Sequence, residues 1–377
     1  MTQLWQRVRE LPERFRSDVN RRVEAGGRRF RDYRSRTADG AIAIHALVAA
    51  SVGATFAAFL ANSTWTAVPA LGLLVTIGVG WRRYQAETAK ALTFLTTVAT
   101  VAILSLVVAF LLIRSEPAVR HVGLDLLTRI DQPLWTSSEG GVYSLTPMMV
   151  GTALTTVIAT LVAAPMGVAG AVFVSEIAPP RVREVVKPGI ELMAGIPSIT
   201  YGFVGLTVVN QYFYAEFRTP TIGTYFAAGL MIGVMALPTV VTVAGDALAA
   251  VPEDIKSGAL AMGSTRWQTT KSVTIPAGFS GVAAGVLLGV GRAMGETMAA
   301  TVMLSHTKGF PTPAFDVFSN YGETLTTVIA FEGGNASGIH MSALFAGGVV
   351  LFGMVMVLSV TSQYVEWRMH RKLGGEP

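Results

Sequence analysis

Long apolar runs separated by short polar segments dominate the chain after its first forty residues. A helix rises 1.5 Å per residue, so about 20 apolar residues are needed to cross roughly 30 Å of hydrocarbon. We therefore predict an all-α membrane protein with about eight transmembrane helices. The predicted spans are residues 41–61, 65–80, 91–113, 147–175, 190–209, 223–250, 278–304 and 340–365. The second span is short and contains Pro69, so we expect it to be tilted, kinked or paired with the first as a hairpin.

The composition supports this prediction and narrows the chemistry. Hydrophobic residues make up 51% of the chain and charged residues 14%, and the mean hydropathy is +0.50. Soluble domains carry about 25% charged residues, so the chain is typical of a polytopic membrane protein. It contains no cysteine, which excludes disulfides, thiolate metal sites and a cysteine nucleophile. We expect no metal site and no resident cofactor.

The basic residues predict the orientation. The segments that we place in the cytoplasm hold 23 lysines and arginines and the outside segments hold 5, while Arg292 lies within a span. Cytoplasmic loops carry the excess of basic residues, so both termini are expected inside a plasma or inner membrane. The net charge of +5 is concentrated at the termini and in short loops. This distribution argues against nucleic-acid binding and is typical of a chain held on anionic lipid.

The spans and charges together divide the chain into five expected segments. Their bounds are a basic cytoplasmic arm at 1–40, extra transmembrane helices at 41–113, an extracytoplasmic loop at 114–146, a transport domain at 147–365 and a cytoplasmic tail at 366–377. The spans become rich in glycine, proline and polar residues only after residue 146. We therefore expect the working part of the protein to be its C-terminal two-thirds.

Two charged residues within the 278–304 span are the first candidates for substrate contact. Arg292 and Glu296 are four residues apart, on one face of a continuous helix. A charge in a membrane span costs several kcal/mol or more and usually lines a polar path. The planar guanidinium of Arg292 suits a tetrahedral oxyanion. Glu296 can orient Arg292 and accept a proton from hydrogen phosphate, which sulfate cannot donate; alternatively, the two residues form a pair satisfied within the helix bundle.

A second group of candidates lies where the 190–209 span is interrupted. Gly195 and Pro197 weaken the helix there, and proline leaves backbone carbonyls without their helical partners. Ser198, Thr200 and Tyr201 follow directly and are predicted to contact substrate. The alternative is that these hydroxyls bond their own helix or a neighbouring one.

Glu176 lies at the predicted cytoplasmic end of its span. We expect it to cap a helix or to pair with Arg181, Arg183 or Lys187.

The cytoplasmic loop at residues 251–276 is longer than a turn requires. Its pattern predicts a helix that begins after Pro252 and ends at Gly263. A second short helix, starting near residue 264 or 265, carries Trp267 and is expected to run to Pro276. A pair of helices that projects into the cytoplasm is suited to docking on a partner.

This loop resembles the coupling loop of ABC importer permeases. Their pattern is Glu-Ala-Ala, three residues, Gly, nine residues and then Ile-x-Leu-Pro, and the spacing here is the same. The matching residues are Ser257, Gly258, Ala259, Gly263, Val273, Ile275 and Pro276. Ser257 stands where the family has a glutamate that helps to seat the loop in the ATPase, and Gly258 replaces the first alanine.

Three further runs, at 151–179, 190–206 and 289–304, resemble the permeases of phosphate importers, most of all the PstC-type subunit. The resemblance implies an alternating-access permease for inorganic phosphate. It also implies a second, homologous permease, two ATPase subunits that bind the ATP, and an extracytoplasmic phosphate-binding protein. The residues at 251–276, with Trp267 among them, would then couple the ATPase to transport. The extra N-terminal helices depart from the commoner six-span form of this subunit.

No motif for catalysis is present in the chain. We find no G-x-x-x-x-G-K-[ST], no H-E-x-x-H and no G-x-S-x-G, so the chain is expected to be a transport subunit that depends on a separate ATPase. Three alternatives to a phosphate permease stay open at this point. They are a permease for another oxyanion such as sulfate or molybdate, a proton-coupled secondary transporter that uses Arg292 and Glu296, and a membrane scaffold.

Overall fold

The computed structural model describes residues 39–136, 141–313, 315–318 and 322–372. The expected basic arm therefore lies outside the described residues, apart from its last two positions. In the described part the chain is helical, and the only β-type pairing is an isolated bridge between Trp135 and Tyr143. The all-α prediction is confirmed.

Fourteen helices are used below, with these bounds: α1 Asp39–Leu60, α2 Ala67–Arg83, α3 Gln85–Val122, α4 Thr146–Val172, α5 Pro180–Gly195, α6 Ser198–Val204, α7 Gln211–Phe217, α8 Tyr225–Ala249, α9 Glu253–Ala261, α10 Arg266–Thr269, α11 Phe279–Met294, α12 Met298–Met303, α13 Leu325–Glu332 and α14 Gly338–Lys372. Short α-helical turns lie at Asp125–Thr128 and Ile275–Ala277, a 3-10 turn at Thr64–Thr66, and π-helical turns at Phe173–Ile177, Gly205–Asn210 and Thr270–Thr274.

Six of the described helices are single stretches long and apolar enough to cross a membrane. Two further candidates are bent pairs of helices, which would raise the number to eight. Helix α3 is much longer than its predicted span and continues to Val122. Helix α14 likewise continues past the predicted end of the last span, to Lys372.

Two predicted spans are wrong as continuous helices. The 190–209 span contains a bend of 90° between Pro180–Gly195 and the helical stretch Ser198–Phe217. The 278–304 span ends as a helix at Met294, and a separate short helix follows from Met298. Pro197 explains the first break, because proline has no N–H to donate and restricts the residue before it.

The described part of the chain divides into two compact units, one ending at Val107 and the other beginning at Val108. In the first unit, α1 and α2 pack as a hairpin, as the sequence suggested for the short second span. Gly80 of α2 permits this packing, since a Cβ there would lie 3.2 Å from the Ile44 side chain. Ile44 and Val48 are the buried residues on this side of α1.

Helix α8 is the centre of the second unit. On one side a Cβ at Gly233 would lie 2.9 Å from the Ala159 carbonyl of α4. On the other side a Cβ at Gly285 of α11 would lie 2.9 Å from the Ala244 backbone nitrogen of α8. Val240 of α8 faces a glycine on each neighbour, Gly167 and Gly289. Small residues at these positions let three helices approach closely, as is common in membrane bundles.

Helix α8 also separates two ends of the second unit. Its 25 residues span about 37 Å. At one end, the Tyr225 hydroxyl contacts the backbone of Glu323. At the other end, the chain passes from Ala249 into the 251–276 loop. These are called the Tyr225 end and the coupling-loop end below.

Candidate functional site

Arg292 lies in the last turn of α11, close to α8. Gly289, three residues earlier, sets this position, because a Cβ there would lie only 2.5 Å from Val240. The Arg292 guanidinium donates through Nη1 to the Thr239 hydroxyl at 3.3 Å. Both side chains are partly buried. Thr239 therefore orients a permanently charged group that the apolar part of α11 would otherwise leave without a polar neighbour.

The expected pairing of Arg292 with Glu296 on one helical face is wrong. Helix α11 ends at Met294 and Gly295 follows it, so Glu296 lies in the break before α12. Its Oε1 accepts a hydrogen bond from the Ala299 N–H at 3.0 Å. Within the described residues, no ion pair joins Arg292 and Glu296. Glu296 instead satisfies an N-terminal backbone donor of α12, where a carboxylate is also favoured by the helix dipole.

A residue of α13 also holds the backbone at the break around Glu296. The Thr326 hydroxyl donates to the Glu296 carbonyl at 2.8 Å. No described residue donates to Glu296 Oε2, and the side chain is only partly buried. One carboxylate oxygen is thus used to hold the backbone, and the other is free to accept a hydrogen bond.

The three hydroxyl candidates lie on α6, beyond the break at Ile196. The Tyr201 hydroxyl donates to the Met193 carbonyl at 3.0 Å, across the break. Tyr201 thus satisfies a carbonyl at the end of α5, which is the alternative considered for these hydroxyls. Ser198 is partly buried and Thr200 is exposed, so neither hydroxyl is enclosed in the bundle.

Helix α6 crosses α12 closely, which places the two breaks in the same part of the second unit. A Cβ at Gly202 would lie 2.8 Å from the Ala299 Cα. An open groove of about 630 Å³ borders the first break and is lined in part by Gly195 and Pro197. No hydrogen bond or ion pair links Arg292 to Ser198, Thr200 or Tyr201 in the described structure. The crossing brings the candidate helices together without direct contact between these side chains.

At the coupling-loop end, the 251–276 loop has the two predicted helices. Helix α9 begins at Glu253 directly after Pro252. Gly263 then adopts a φ of +88°, a left-handed conformation that glycine reaches without the strain a Cβ brings. Thr265 and Gln268 form a capping box at the start of α10, which carries Trp267. A π-helical turn, Thr270–Thr274, then leads into the short helix that contains Pro276.

The loop presents apolar side chains to its surroundings. Met262 is 87% exposed and Trp267 is 57% exposed, and Ile255 and Leu260 are exposed as well. Ser257 and Gly258 lie on the exposed side of α9, whereas Ala259 is buried. A cluster of exposed apolar residues between helices is typical of a binding surface for another protein.

A buried ion pair fixes α9 to the rest of the second unit. Lys256 Nζ lies 2.9 Å from Glu176 Oε1, and the two side chains are only 12% and 10% exposed. The same ammonium contacts the Leu248 carbonyl at the end of α8, at 3.4 Å. The expected pairing of Glu176 with Arg181, Arg183 or Lys187 is therefore wrong.

The sequence analysis missed a charged cluster at the Tyr225 end. Lys308 Nζ lies 2.5 Å from Glu332 Oε1, and Glu332 Oε2 accepts from Trp135 Nε1 at 2.9 Å and contacts His340 Nε2 at 2.7 Å. Burial opposes ionisation of Glu332, but its hydrogen bonds with Lys308 and His340 outweigh that effect and lower its pKa. The cluster joins loop residues to both α13 and α14.

A buried pair accompanies this cluster. His306 Nδ1 lies 3.3 Å from Glu323 Oε1, and Glu323 is 1% exposed. In the sequence this region is a segment between two predicted spans, residues 305–339, with its two glutamates nine residues apart. Nothing in its spacing indicated that residues far apart in the chain would meet there.

The projecting pair of helices at 251–276 is the arrangement that the resemblance to ABC importer permeases implies. A family model described as the binding-protein-dependent transport system inner membrane component matches residues 165–371, more than half of the chain. The chain belongs to this family of multi-pass inner-membrane permeases. The loop at 251–276, Arg292 and Glu296 all lie inside the matched region, and members of the family carry no ATPase motif of their own.

Relatives of known sequence are consistent with this membership. The chain is 37% identical over 229 residues to the probable ABC transporter permease protein YqgH of Bacillus subtilis, covering 60% of this chain and 72% of that protein. It is 31% identical over 259 residues to the phosphate transport system permease protein PstC of Pasteurella multocida, covering 64% and 79%. For PstC of Haemophilus influenzae the identity is 28% over 291 residues, with 72% and 90% covered.

One solved structure shares the fold. It is the bacterial alginate ABC transporter in complex with an alginate pentasaccharide-bound periplasmic protein. The superposition has a TM-score of 0.53 and covers 78% of this chain and 98% of that one, with 16% identity. At this identity the likeness concerns the fold alone.

The ion pair beneath α9 can be tested directly. Lys256→Met leaves the Glu176 carboxylate buried without its partner, and we expect it to lower the free energy of unfolding by up to about 3 kcal/mol. Thermal unfolding of the purified protein in detergent measures this loss, and hydrogen exchange of residues 253–261 should become faster. The exchanged pair, Lys256→Glu with Glu176→Lys, is the matched control and should recover part of both. Equal stability of Lys256→Met and the unaltered protein would show that the pair does not hold α9.

Proposed function

We propose that this chain is a permease subunit of an ATP-driven importer of inorganic phosphate. The observation that carries the proposal is the position of Arg292, a partly buried guanidinium oriented by Thr239 at the end of an otherwise apolar helix. Arginine stays protonated and presents paired donors that fit the oxygens of a tetrahedral anion. The names of the PstC relatives point to the same substrate.

The free oxygen of Glu296 supports phosphate over other oxyanions. Hydrogen phosphate carries a hydroxyl that can donate to Glu296 Oε2, whereas sulfate and molybdate at neutral pH have no proton to donate. A site that presents an acceptor to such a hydroxyl rejects analogues that lack it, because the acceptor then stays unpaired beside an anion. Ser198 and Thr200, across the α6–α12 crossing, are proposed as further contacts, and Tyr201 as the residue that shapes the break between α5 and α6.

A complete importer requires further subunits. We propose a second, homologous permease, two ATPase subunits that bind ATP, and an extracytoplasmic phosphate-binding protein. The exposed apolar residues of the 251–276 loop are suited to seating on the ATPase, and Ser257, Gly258, Ala259, Gly263, Trp267 and Pro276 shape that surface. Closure of the ATPases would move α9, and the buried Lys256–Glu176 pair would carry that movement to α4 and α8.

The substrate site is tested by uptake of labelled phosphate into vesicles that contain the complete transporter. Arg292→Gln removes the charge and its paired donors, so we expect uptake to fall about 10- to 100-fold, the effect of losing one or more charge-assisted hydrogen bonds. Arg292→Lys should recover little, because an ammonium lacks the planar fork. Glu296→Gln should lower phosphate uptake and weaken discrimination against sulfate, since the new amide can donate to sulfate.

Arg218→Gln, at an exposed arginine before α8, is the matched control and should transport normally. Normal uptake by Arg292→Gln would place the substrate site elsewhere. Uptake of sulfate or molybdate in preference to phosphate by the unaltered protein would replace phosphate as the substrate and leave the permease function intact.

The coupling surface is tested at Trp267. Trp267→Asp puts a charge on an exposed residue, so insertion and folding should be unaffected. A buried tryptophan at a protein interface often contributes about 2 kcal/mol or more, which corresponds to roughly 30-fold in affinity. We expect co-purification of the ATPase and ATP-driven uptake to fall by about that factor. Trp267→Phe keeps an aromatic ring and should retain most of the ATPase co-purification and most of the uptake. Normal co-purification and uptake in Trp267→Asp would contradict the proposed interface.

The orientation follows from the charge distribution and has its own test. The chain has no cysteine, so a single introduced cysteine is the only target for an impermeant maleimide. We expect Leu124→Cys to be labelled in intact cells and Ser17→Cys to be labelled only after permeabilisation. The reverse pattern would invert the proposed topology. Ser17 lies outside the described residues, and Leu124 is 80% exposed.

A further inference from the structure

We infer that His306 and Glu323 form a buried site that binds one proton, and that this proton holds the end of α12 against the segment before α13. The site lies at the Tyr225 end, apart from the proposed oxyanion contacts. Its chemistry rests on atoms of this chain alone. Only the effect of this proton on transport rests on the proposed function.

The hydrogen-bond geometry requires the proton. His306 Nε2 lies 2.8 Å from the Thr301 carbonyl oxygen, and Nδ1 lies 3.3 Å from Glu323 Oε1. A carbonyl oxygen and an ionised carboxylate oxygen can only accept. A neutral imidazole has one N–H and can satisfy only one of them. Both contacts are favourable only when a second proton is present, and we place it on the imidazole, because an imidazole is ordinarily more basic than a carboxyl group.

The backbone and a neighbouring ring hold the imidazole in this position. His306 has a φ of +55°, and its N–H donates to the Gly322 carbonyl at 2.9 Å. The Gly322 N–H returns a bond to the Thr307 carbonyl at 3.1 Å. The imidazole stacks on the Phe331 ring with centroids 4.1 Å apart and an interplanar angle of 10°. The two backbone hydrogen bonds thus fix the main chain at His306, and turning the ring away from either acceptor would break its stacking on Phe331.

The other charged groups near the pair do not replace the proton. Lys308 Nζ is 3.8 Å from Glu323 Oε2 but 2.5 Å from Glu332 Oε1, so its closer partner is Glu332. Glu332 in turn is bonded to His340. Glu323 Oε2 is buried and has no hydrogen-bond partner in the described structure. The His306 proton is thus the nearest group that can balance the buried Glu323 carboxylate.

Uncharged neighbours fix Glu323 in place. The Thr327 hydroxyl donates to Glu323 Oε1. On the backbone of Glu323, the carbonyl and the N–H each lie 3.2 Å from the Tyr225 hydroxyl of α8. Turning the carboxylate towards solvent would break the Thr327 bond, while the Tyr225 hydroxyl fixes the backbone from which the side chain extends. Since a buried, unpaired carboxylate is costly, this arrangement favours proton binding.

The direction of the pH dependence follows from the same contacts. The hydrogen bond with Glu323 raises the pKa of His306 above its ordinary value of 6.5, although burial and Lys308 oppose this. A group whose pKa is higher in the folded protein contributes stability that is fully present below pH 6.5. That contribution is lost as the pH rises through the raised pKa. The site should therefore release its proton, and loosen, on the alkaline side.

Helix α12 links this proton to the break beside Arg292. At its N-terminus Glu296 accepts from the Ala299 N–H, and near its C-terminus the Thr301 carbonyl accepts from His306. The segment that carries Glu323 also carries Thr326, which bonds to the Glu296 carbonyl. Loss of the proton leaves one N–H for two acceptors. The bridge between the end of α12 and Glu323 then loses one of its two hydrogen bonds, while Glu296 still bonds to the other end of α12.

The test is nitrogen-15 NMR of the histidine side chains in the full chain, purified in detergent. We expect His306 to titrate with an apparent pKa above 6.5, so that both of its ring nitrogens carry protons below pH 6.5. His306→Gln assigns the signal, and single replacements of the other four histidines assign it by elimination should that variant fail to fold. Glu323→Gln should lower the His306 pKa. A neutral His306 at pH 6.5, or a titration that Glu323→Gln leaves unchanged, would overturn the inference.

Thermal unfolding between pH 6 and pH 9 gives an independent measurement. The unaltered protein should lose more stability over this range than His306→Gln, because only the former has the proton to lose. His121→Gln, at an exposed histidine, is the matched control and should follow the unaltered protein. Identical pH profiles for all three proteins would contradict the site. Neither measurement uses transport, so a failure of the phosphate proposal would leave both results interpretable.

Discussion

Backbone donors and acceptors within an apolar environment must find partners inside the protein, and the second unit depends on how it meets this requirement. Helix α8 is continuous and meets most of it through its own hydrogen bonds, with an interruption at Pro238, which has no N–H to donate. The spans on either side of the α6–α12 crossing are broken, and side chains supply the missing partners there. The Tyr201 hydroxyl donates a hydrogen bond to the Met193 carbonyl, and the Glu296 carboxylate accepts one from the Ala299 N–H. Polar side chains near the crossing therefore bond to the backbone, and only their remaining donors and acceptors are available to a ligand.

The two ends of α8 use buried charge in different ways. At the coupling-loop end, a single lysine–glutamate pair ties one helix to two others, an arrangement suited to moving as a rigid body. At the Tyr225 end, five ionisable residues are connected through shared contacts. They include two histidines, His306 and His340. The first end thus fixes one helix against its neighbours, whereas the second carries the proposed proton site.

Local pattern predicted most of the fold and only part of the site. Apolar runs identified the long helices, and the Pro252 and Gly263 signals defined α9, because helix ends depend on nearby residues. The break after Met294 was missed because residues 289–304 contain no proline and, apart from two charged residues and two threonines, are apolar or small. A contact from α13, thirty residues further along, helps to stabilise the non-helical backbone there. The Lys256–Glu176 and His306–Glu323 pairs were missed for the same reason, since the packing of distant segments creates them.

The position of Ser257 has a further consequence for assembly. Its hydroxyl donates to the Asp254 carbonyl within α9, so the place of the family's glutamate is taken by a group already bonded to its own helix. What the loop offers to a partner is the exposed surface of Met262, Trp267 and their apolar neighbours, together with the exposed charges of Glu253, Asp254, Arg266 and Lys271. Apolar contacts are weakened little by dissolved ions, in contrast to those between charges. In the proposed assembly, moderate ionic strength should accordingly weaken the charged contacts of this loop and leave its apolar ones intact.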